Sequence, residues 1–393
     1  MTRLIPFTAI GLCVCAGAGC MRAQVRERLV CASSSGEYCA TVTSSFASLP
    51  LPGPETISVW DSAKFRIRAG DGKQVLAVAL TDDNREDFLG DWQWSPDGRY
   101  LALPGRGLWV IDARDARPLR LFFGEILSYR WRDDDCLVYC TARGTVGAMS
   151  IAERIHHSLV KESGWWQHMD RFERWGDPLS PQGKLFARYD GERICIVDVN
   201  AGRTINSFPA AQEPIGYCWD AASERCLICA PDRSTLSLYE RKVETITELT
   251  SRFRALDDRF PQTLLLSWHD AVLAPSGQWL IVAGPSQAVW ICAADGSSVV
   301  RLQDEIGRDI LEYRVSPKED LLAFRWFDAK GSSFKGFCVV SISLEEKGRV
   351  KVSAPLRLSS SADAELVWAA DGRALMTLAR GRLKRLDVSH LLP

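Results

Sequence analysis

An all-β fold, a single propeller of eight blades, is predicted by three observations in this 393-residue chain. A strand–turn–strand segment returns about eight times, each return is followed by two further short apolar runs, and the last unit is truncated. The segment is clearest at Trp94-Ser95-Pro96-Asp97-Gly98-Arg99-Tyr100-Leu101-Ala102. Self-similarity at such a period marks a repeat architecture.

The turn comes first. Pro at its second position holds φ where a type I turn needs it, and Gly two residues later takes positive φ without a Cβ clash. Leu179-Ser180-Pro181-Gln182-Gly183 and Leu273-Ala274-Pro275-Ser276-Gly277 repeat this chemistry, and Val315-Ser316-Pro317-Lys318 and Trp368-Ala369-Ala370-Asp371-Gly372 echo it. Short β-branched and aromatic runs flank each turn, so each unit opens with a β-hairpin. Third strands follow at Leu108–Asp112, Ile194–Asp198 and Val289–Ala293, and fourth strands at Pro118–Phe122, Arg203–Phe208 and Ser298–Leu302. Each unit therefore holds four antiparallel strands.

Aligned on Trp94, the units fall at Ala32, Trp94, Trp131, Leu179, Trp219, Leu273, Val315 and Trp368. The mean spacing, (368 − 32)/7, is about 48 residues, inside the range of propeller blades. Stacking the units radially buries both faces of each sheet and leaves only short edges. The last unit lacks an outer strand after Arg382–Val388, and the segment near Gln24-Val25-Arg26-Glu27 is expected to supply it, closing the ring by pairing N- and C-terminal segments. Seven blades is the alternative, since units one and three match the pattern least.

The Trp94–Ala102 stretch resembles the WD40-like repeat of bacterial TolB-type propellers, a repeat shared with the propeller halves of prolyl-oligopeptidase-like enzymes. The resemblance covers the chain from about residue 28 onward and implies the fold rather than an activity. There is no room for the α/β domain that precedes the propeller in TolB-type proteins. The Gly-x-Ser-x-Gly elbow of the peptidases is absent.

Residues 1–20 differ from the rest. Arg3, an apolar run from Leu4 to Ala16, and Gly17-Ala18-Gly19 before Cys20 follow the order of an export signal. Gly-Ala-Gly-Cys is also lipobox-like, which marks Cys20 as a candidate lipidation site and possible membrane anchor. Residues 21–393 form the propeller domain. The expected location is the periplasm or a membrane-anchored lipoprotein, with the cytoplasm as the alternative. The net charge of −1 argues against nucleic-acid binding.

Ten cysteines follow Cys20. Cys31 and Cys39, and Cys218 and Cys226, flank equivalent hairpin turns; each pair is a candidate disulfide, weighed against the reading of buried thiols as small apolar residues. Cys226-Leu227-Ile228-Cys229 has metal-like spacing, but residues three apart on a strand face opposite sides, so no metal is expected. The acidic clusters Asp82–Asp87 and Asp133–Asp135 read as solvated loops.

Two long inter-blade segments carry the remaining candidates: Trp165, Trp166 and His168 in one, and Arg252–Phe260 reaching Trp268 and His269 in the other. Trp with His and Arg nearby is interface and ligand-stacking composition; the competing expectation packs these aromatics between blades. His269-Asp270 lacks a nucleophile motif to pair with. The expected function is a non-catalytic, monomeric scaffold for protein partners, without cofactor. A propeller binding a small ligand or glycan through the aromatic loops is the alternative. An enzyme, which would need polar residues converging from several first strands, ranks third.

Overall fold

The computed structural model describes residues 22–33, 37–50, 56–69, 74–80, 92–105, 107–115, 118–122, 126–141, 145–160, 175–263, 271–284, 288–307, 309–327, 334–358, 365–369, 371–379 and 382–391. Eight antiparallel sheets follow one another along the chain, each a blade. Their first, innermost strands are Arg22–Ala32, Gln93–Trp94, Ile126–Trp131, a single bridge at Leu179 in blade four, Gly216–Trp219, Ala271–Leu273, Asp309–Val315 and Glu365–Trp368. Two short helices, Thr250–Leu256 and Leu302–Ile306, follow the outer strands of blades five and six.

The middle strands carry the core. Trp279–Ala283 and Val289–Ala293 of blade six are buried at every residue, because neighbouring blades cover both faces of the sheet. The outer strand Arg203–Pro209 of blade four has one covered face at most, and its residues are exposed or half-buried. Between blades six and seven, Trp279, Ile281 and Ile291 pack against Leu322, Phe324, Cys338 and Val340.

The recurring turn has one geometry. In blade two, Ser95 N–H donates to the Tyr100 carbonyl (2.8 Å), Gly98 N–H donates to the Ser95 carbonyl (2.8 Å), and Tyr100 N–H donates to Ser95 Oγ (2.9 Å). The same six-residue closure joins Ser33 to Tyr38, Ser180 to Leu185, Asp220 to Arg225, Ala274 to Trp279, Ser316 to Leu321 and Ala369 to Ala374. Blade three departs by one residue, with Arg132 N–H donating to the Cys136 carbonyl, which is why its unit matches the pattern poorly. The fourth turn residue has positive φ, +74° at Gly98 and +69° at Gly277, and at the equivalent place in blade five Ser223 is held at +61°.

These turns interlock around one face of the ring. Ala221 N–H donates to the Pro275 carbonyl (3.1 Å), Arg225 reaches the Gly277 carbonyl (2.7 Å), Ser316 Oγ reaches the Gly372 carbonyl (3.1 Å), and Arg373 pairs with Glu319 (3.0 Å). A second set of clamps comes from the tryptophans that head the repeat. Trp131 Nε1–H donates to Gln93 O (3.1 Å), Trp219 to Pro178 O (3.2 Å) and Trp368 to Arg314 O (2.9 Å). In each case the acceptor is the residue just before the aligned position of the preceding blade. Trp131, Trp219 and Trp368 thus each tie one blade to the one before it.

The terminal segments pair, and the ring closes, at a parallel bridge between Ala32 and Ala369 on the inner edge. This corrects the expected route of closure. Gln24–Glu27 do not complete blade eight from outside; they pair with Phe46, Ser45, Ser44 and Thr43 as the inner strand of their own blade. Blade eight has three strands among the described residues.

Candidate functional site at the inner ring

Polar side chains from several first strands converge at two seams between blades. The first lies between blades three and four. Arg130 and Ser128 project from Ile126–Trp131 on the face opposite Tyr129 and Trp131, as strand alternation requires. Both meet Asp177: Arg130 Nη2 forms an ion pair with Asp177 Oδ2, and Ser128 Oγ donates to Asp177 Oδ1. Asp177 is held in place by its own backbone. Its N–H donates to the Tyr217 carbonyl (2.6 Å), and Trp175–Gly176 pairs in parallel with Gly216–Tyr217, so the inner segment of blade four is stitched to blade five. Leu179 N–H also donates to Asp177 Oδ1 (2.8 Å).

Cys218 sits beside this group, and the Leu273 N–H of blade six points at its sulfur (3.4 Å). Burial pushes the Cys218 thiol up to about 11; the nearby Arg130 charge draws it down and Asp177 raises it. A protonated, half-buried thiol is a poor nucleophile. The seam is a packed polar joint rather than a reactive centre.

The second seam lies between blades seven and eight. Arg314 stands one residue before the aligned Val315, the place Arg130 holds before Trp131. In sequence, Asp177 stands two residues before Leu179, and Leu366 two before Trp368. Arg314 pairs within its own strand, with Glu312 (2.9 Å), and Arg325 approaches the same carboxylate from the second strand (3.4 Å). The Arg325 guanidinium lies over the Phe337 ring, 5.0 Å from its centre. These residues, with Tyr313, Ala323 and Phe324, line a shallow, open recess on blade seven. Solvent reaches 37% of Arg314 and 39% of Glu312 here, against 20% of Arg130 and 18% of Asp177 in the first seam.

The candidates from the sequence fare differently. Trp165, Trp166, His168, Trp268 and His269 lie outside the described residues. Of the second long segment, Thr250–Leu256 is helical, and Phe253 and Phe260 are buried with Trp290, with ring centres 5.4 and 5.7 Å apart in sequence. Those aromatics pack between blades five and six. Arg254 reaches the Ser234, Pro261 and Gln262 carbonyls and holds the segment down.

The strand register corrects the cross-strand cysteine pairing. Because the turn closes between Ser33 and Tyr38, Ala32 faces Cys39 and Cys31 faces Ala40. Closure between Asp220 and Arg225 likewise sets Trp219 against Cys226 and Cys218 against Leu227. Each cysteine pair is offset by one residue, which puts its members on opposite faces. No disulfide joins the described cysteines. Among the described residues, no group of three or more His, Cys, Asp or Glu could hold a metal ion.

No family model matches the chain, and no curated protein matches its sequence. Its structure is similar to that of the C-terminal WD40 domain of Sif2 (TM-score 0.46, 11% identity, 87% of this chain and 89% of that one). It is also similar to the β-propeller domain of Myceliophteria thermophila Cps50 (Swd1) (TM-score 0.46, 13% identity, 84% and 99%). A third similar structure is Kuenenia stuttgartiensis hydrazine synthase (TM-score 0.36, 13% identity, 79% and 78%). The turns and sheets described above make this chain an eight-bladed β-propeller in their own right.

Proposed function

We propose that this chain is a non-catalytic propeller scaffold that binds protein partners in the bacterial cell envelope. The observation that carries the reading is the asymmetry of the inner ring. One seam is sealed by its own ion pair, while another leaves Arg314 and Glu312 open to solvent on a rigid frame. Arginine is among the residues enriched at interface hot spots. The envelope setting rests on the N-terminal pattern, with residues 1–20 as an export signal and Cys20 as a lipid attachment point, and on the TolB-type resemblance of Trp94–Ala102.

The test is affinity purification of the full chain, tagged at its C-terminus, from the membrane and periplasmic fractions of cells expressing it. The reading predicts export, and a partner that co-elutes with the propeller through a second, size-based step. Recovery of the propeller alone from both fractions, or its retention in the cytoplasm, contradicts it.

A further inference from the structure

We infer that the three-stranded extension of blade one seats its tip on a lipid bilayer and turns the interlocked-turn face of the ring away from it. The inference rests on the envelope reading above and adds the orientation of the propeller at the membrane.

Blade one is built from long strands. Arg22–Ala32, Tyr38–Pro50 and Thr56–Ala69 span 11, 13 and 14 residues, whereas the first three strands of blade six span 3, 5 and 5. The long strands stay paired to their ends, Arg22 with Ser48 and Pro50 with Thr56. The fourth strand, Gln74–Leu80, pairs only along Ala63–Arg68. Beyond Ala63 the blade is therefore a ribbon of three strands, 22–25, 45–50 and 56–62, about 20 Å long at the rise of a strand.

The first strand runs from Arg22 toward the turn at Ser33–Tyr38, so the ribbon lies at the end of the blade opposite the interlocked turns. Cys20 stands two residues before Arg22. A lipid attached there would hold the bilayer within about 7 Å of the ribbon's end, the reach of two extended residues. A single acyl chain binds a membrane only marginally, and stable anchoring takes a second contact.

The ribbon has the composition for that contact. Only Arg22 and Asp61 are charged in 22–25, 45–50 and 56–62, against 25% charged residues in the whole chain. The register sets Phe46 opposite Trp60, Ala47 opposite Val59 and Leu49 opposite Ile57. Aromatic residues with an apolar body are enriched where protein meets the lipid–water interface.

The test uses the unlipidated mature chain, residues 21–393, which holds all eight blades. It is mixed with vesicles of phosphatidylethanolamine and phosphatidylglycerol and floated through a density step. The expected result is co-flotation. Phe46→Ser combined with Trp60→Ser should lower the bound fraction about fivefold or more in protein whose circular dichroism shows it folded. Ser58→Glu, a milder change that adds negative charge to the ribbon, should act in the same direction. Val243→Ser, at an exposed residue beside the interlocked turn of blade five, should change nothing.

A wild-type chain that does not float, or ribbon variants that float as well as wild type, overturns the inference. A chain that floats but captures no partner would sink the scaffold and leave the ribbon contact standing. A chain that captures a partner from the periplasmic fraction and does not float would do the reverse.

Discussion

Blades three and seven place an arginine at the same point of their inner strands, and the two arginines end in different surroundings. Arg130 is met across the seam by Asp177, with Ser128 satisfying the second carboxylate oxygen. Arg314 finds its acid on its own strand, beside a shallow, open recess. The inner strands of blades three and seven share one plan, but the segments facing them differ: Asp177 follows a stretch that pairs in parallel with blade five, and Leu366 lies on an antiparallel inner strand. Repeat architecture sets where a polar side chain will stand, and single substitutions within the repeat then assign it to cohesion or to contact with something else.

The largest effect should come from breaking the sealed seam. Asp177→Ala leaves Arg130 mostly buried without its partner, and is expected to cost about 3 kcal/mol in urea denaturation. Arg314→Ala, at the open seam, should cost only about 0.5 kcal/mol, as exposed pairs do. Equal losses at the two sites would erase the distinction.

The comparison can also be sharpened by conversion. Leu366→Asp gives blade eight an acid two residues before its aligned position, as Asp177 stands in blade four. It should raise the cost of Arg314→Ala in urea denaturation by about 1 kcal/mol. An unchanged cost would show that position 366 does not reach the arginine.

A third prediction concerns two indole clamps, one at the joint of blades four and five and one at the open seam. Trp219→Phe and Trp368→Phe each delete one indole hydrogen bond to the preceding blade. Each should cost about 1 kcal/mol, with the two losses similar, because the clamp sits at the turn end of the seam regardless of what lies beyond it.

The effect that vanishes near neutral pH is a pH dependence. The Cys218 thiol is raised to about 11 by burial, above the ~8.5 of an unfolded cysteine. Between those values the unfolded chain has released the proton and the folded chain has kept it. Stability should therefore be complete below about pH 8.5 and decline as pH rises toward 11, and Cys218→Ala should flatten part of that decline. Native-state alkylation of Cys218 at pH 8 should be slow, and faster in Asp177→Ala, where the seam is opened.

Much of the fold could be read in the chain because its determinants are local. Pro96, Gly98, Gly183 and Gly277 satisfy backbone requirements of a single turn, and their spacing counts the blades. Long-range choices were harder to see. Nothing local indicates that Trp175–Gly176 leaves its own blade to pair with Gly216–Tyr217, or that the N-terminal strand closes the ring from the inner edge. The cysteine offset was within reach, since a six-residue closure fixes which residues face one another. The Asp177 joint also left a trace: Ser128 and Asp177 are 49 residues apart, close to one repeat. Opposite or complementary polar groups one period apart on inner strands are the signal for such seams.

The most direct test of this account is a pair of double-mutant cycles, Arg130→Ala with Asp177→Ala and Arg314→Ala with Glu312→Ala, each followed by chemical denaturation. The account predicts a coupling of about 2 kcal/mol or more at the sealed seam and about 0.5 kcal/mol or less at the open one. Equal couplings, or the stronger one at Arg314, would contradict it.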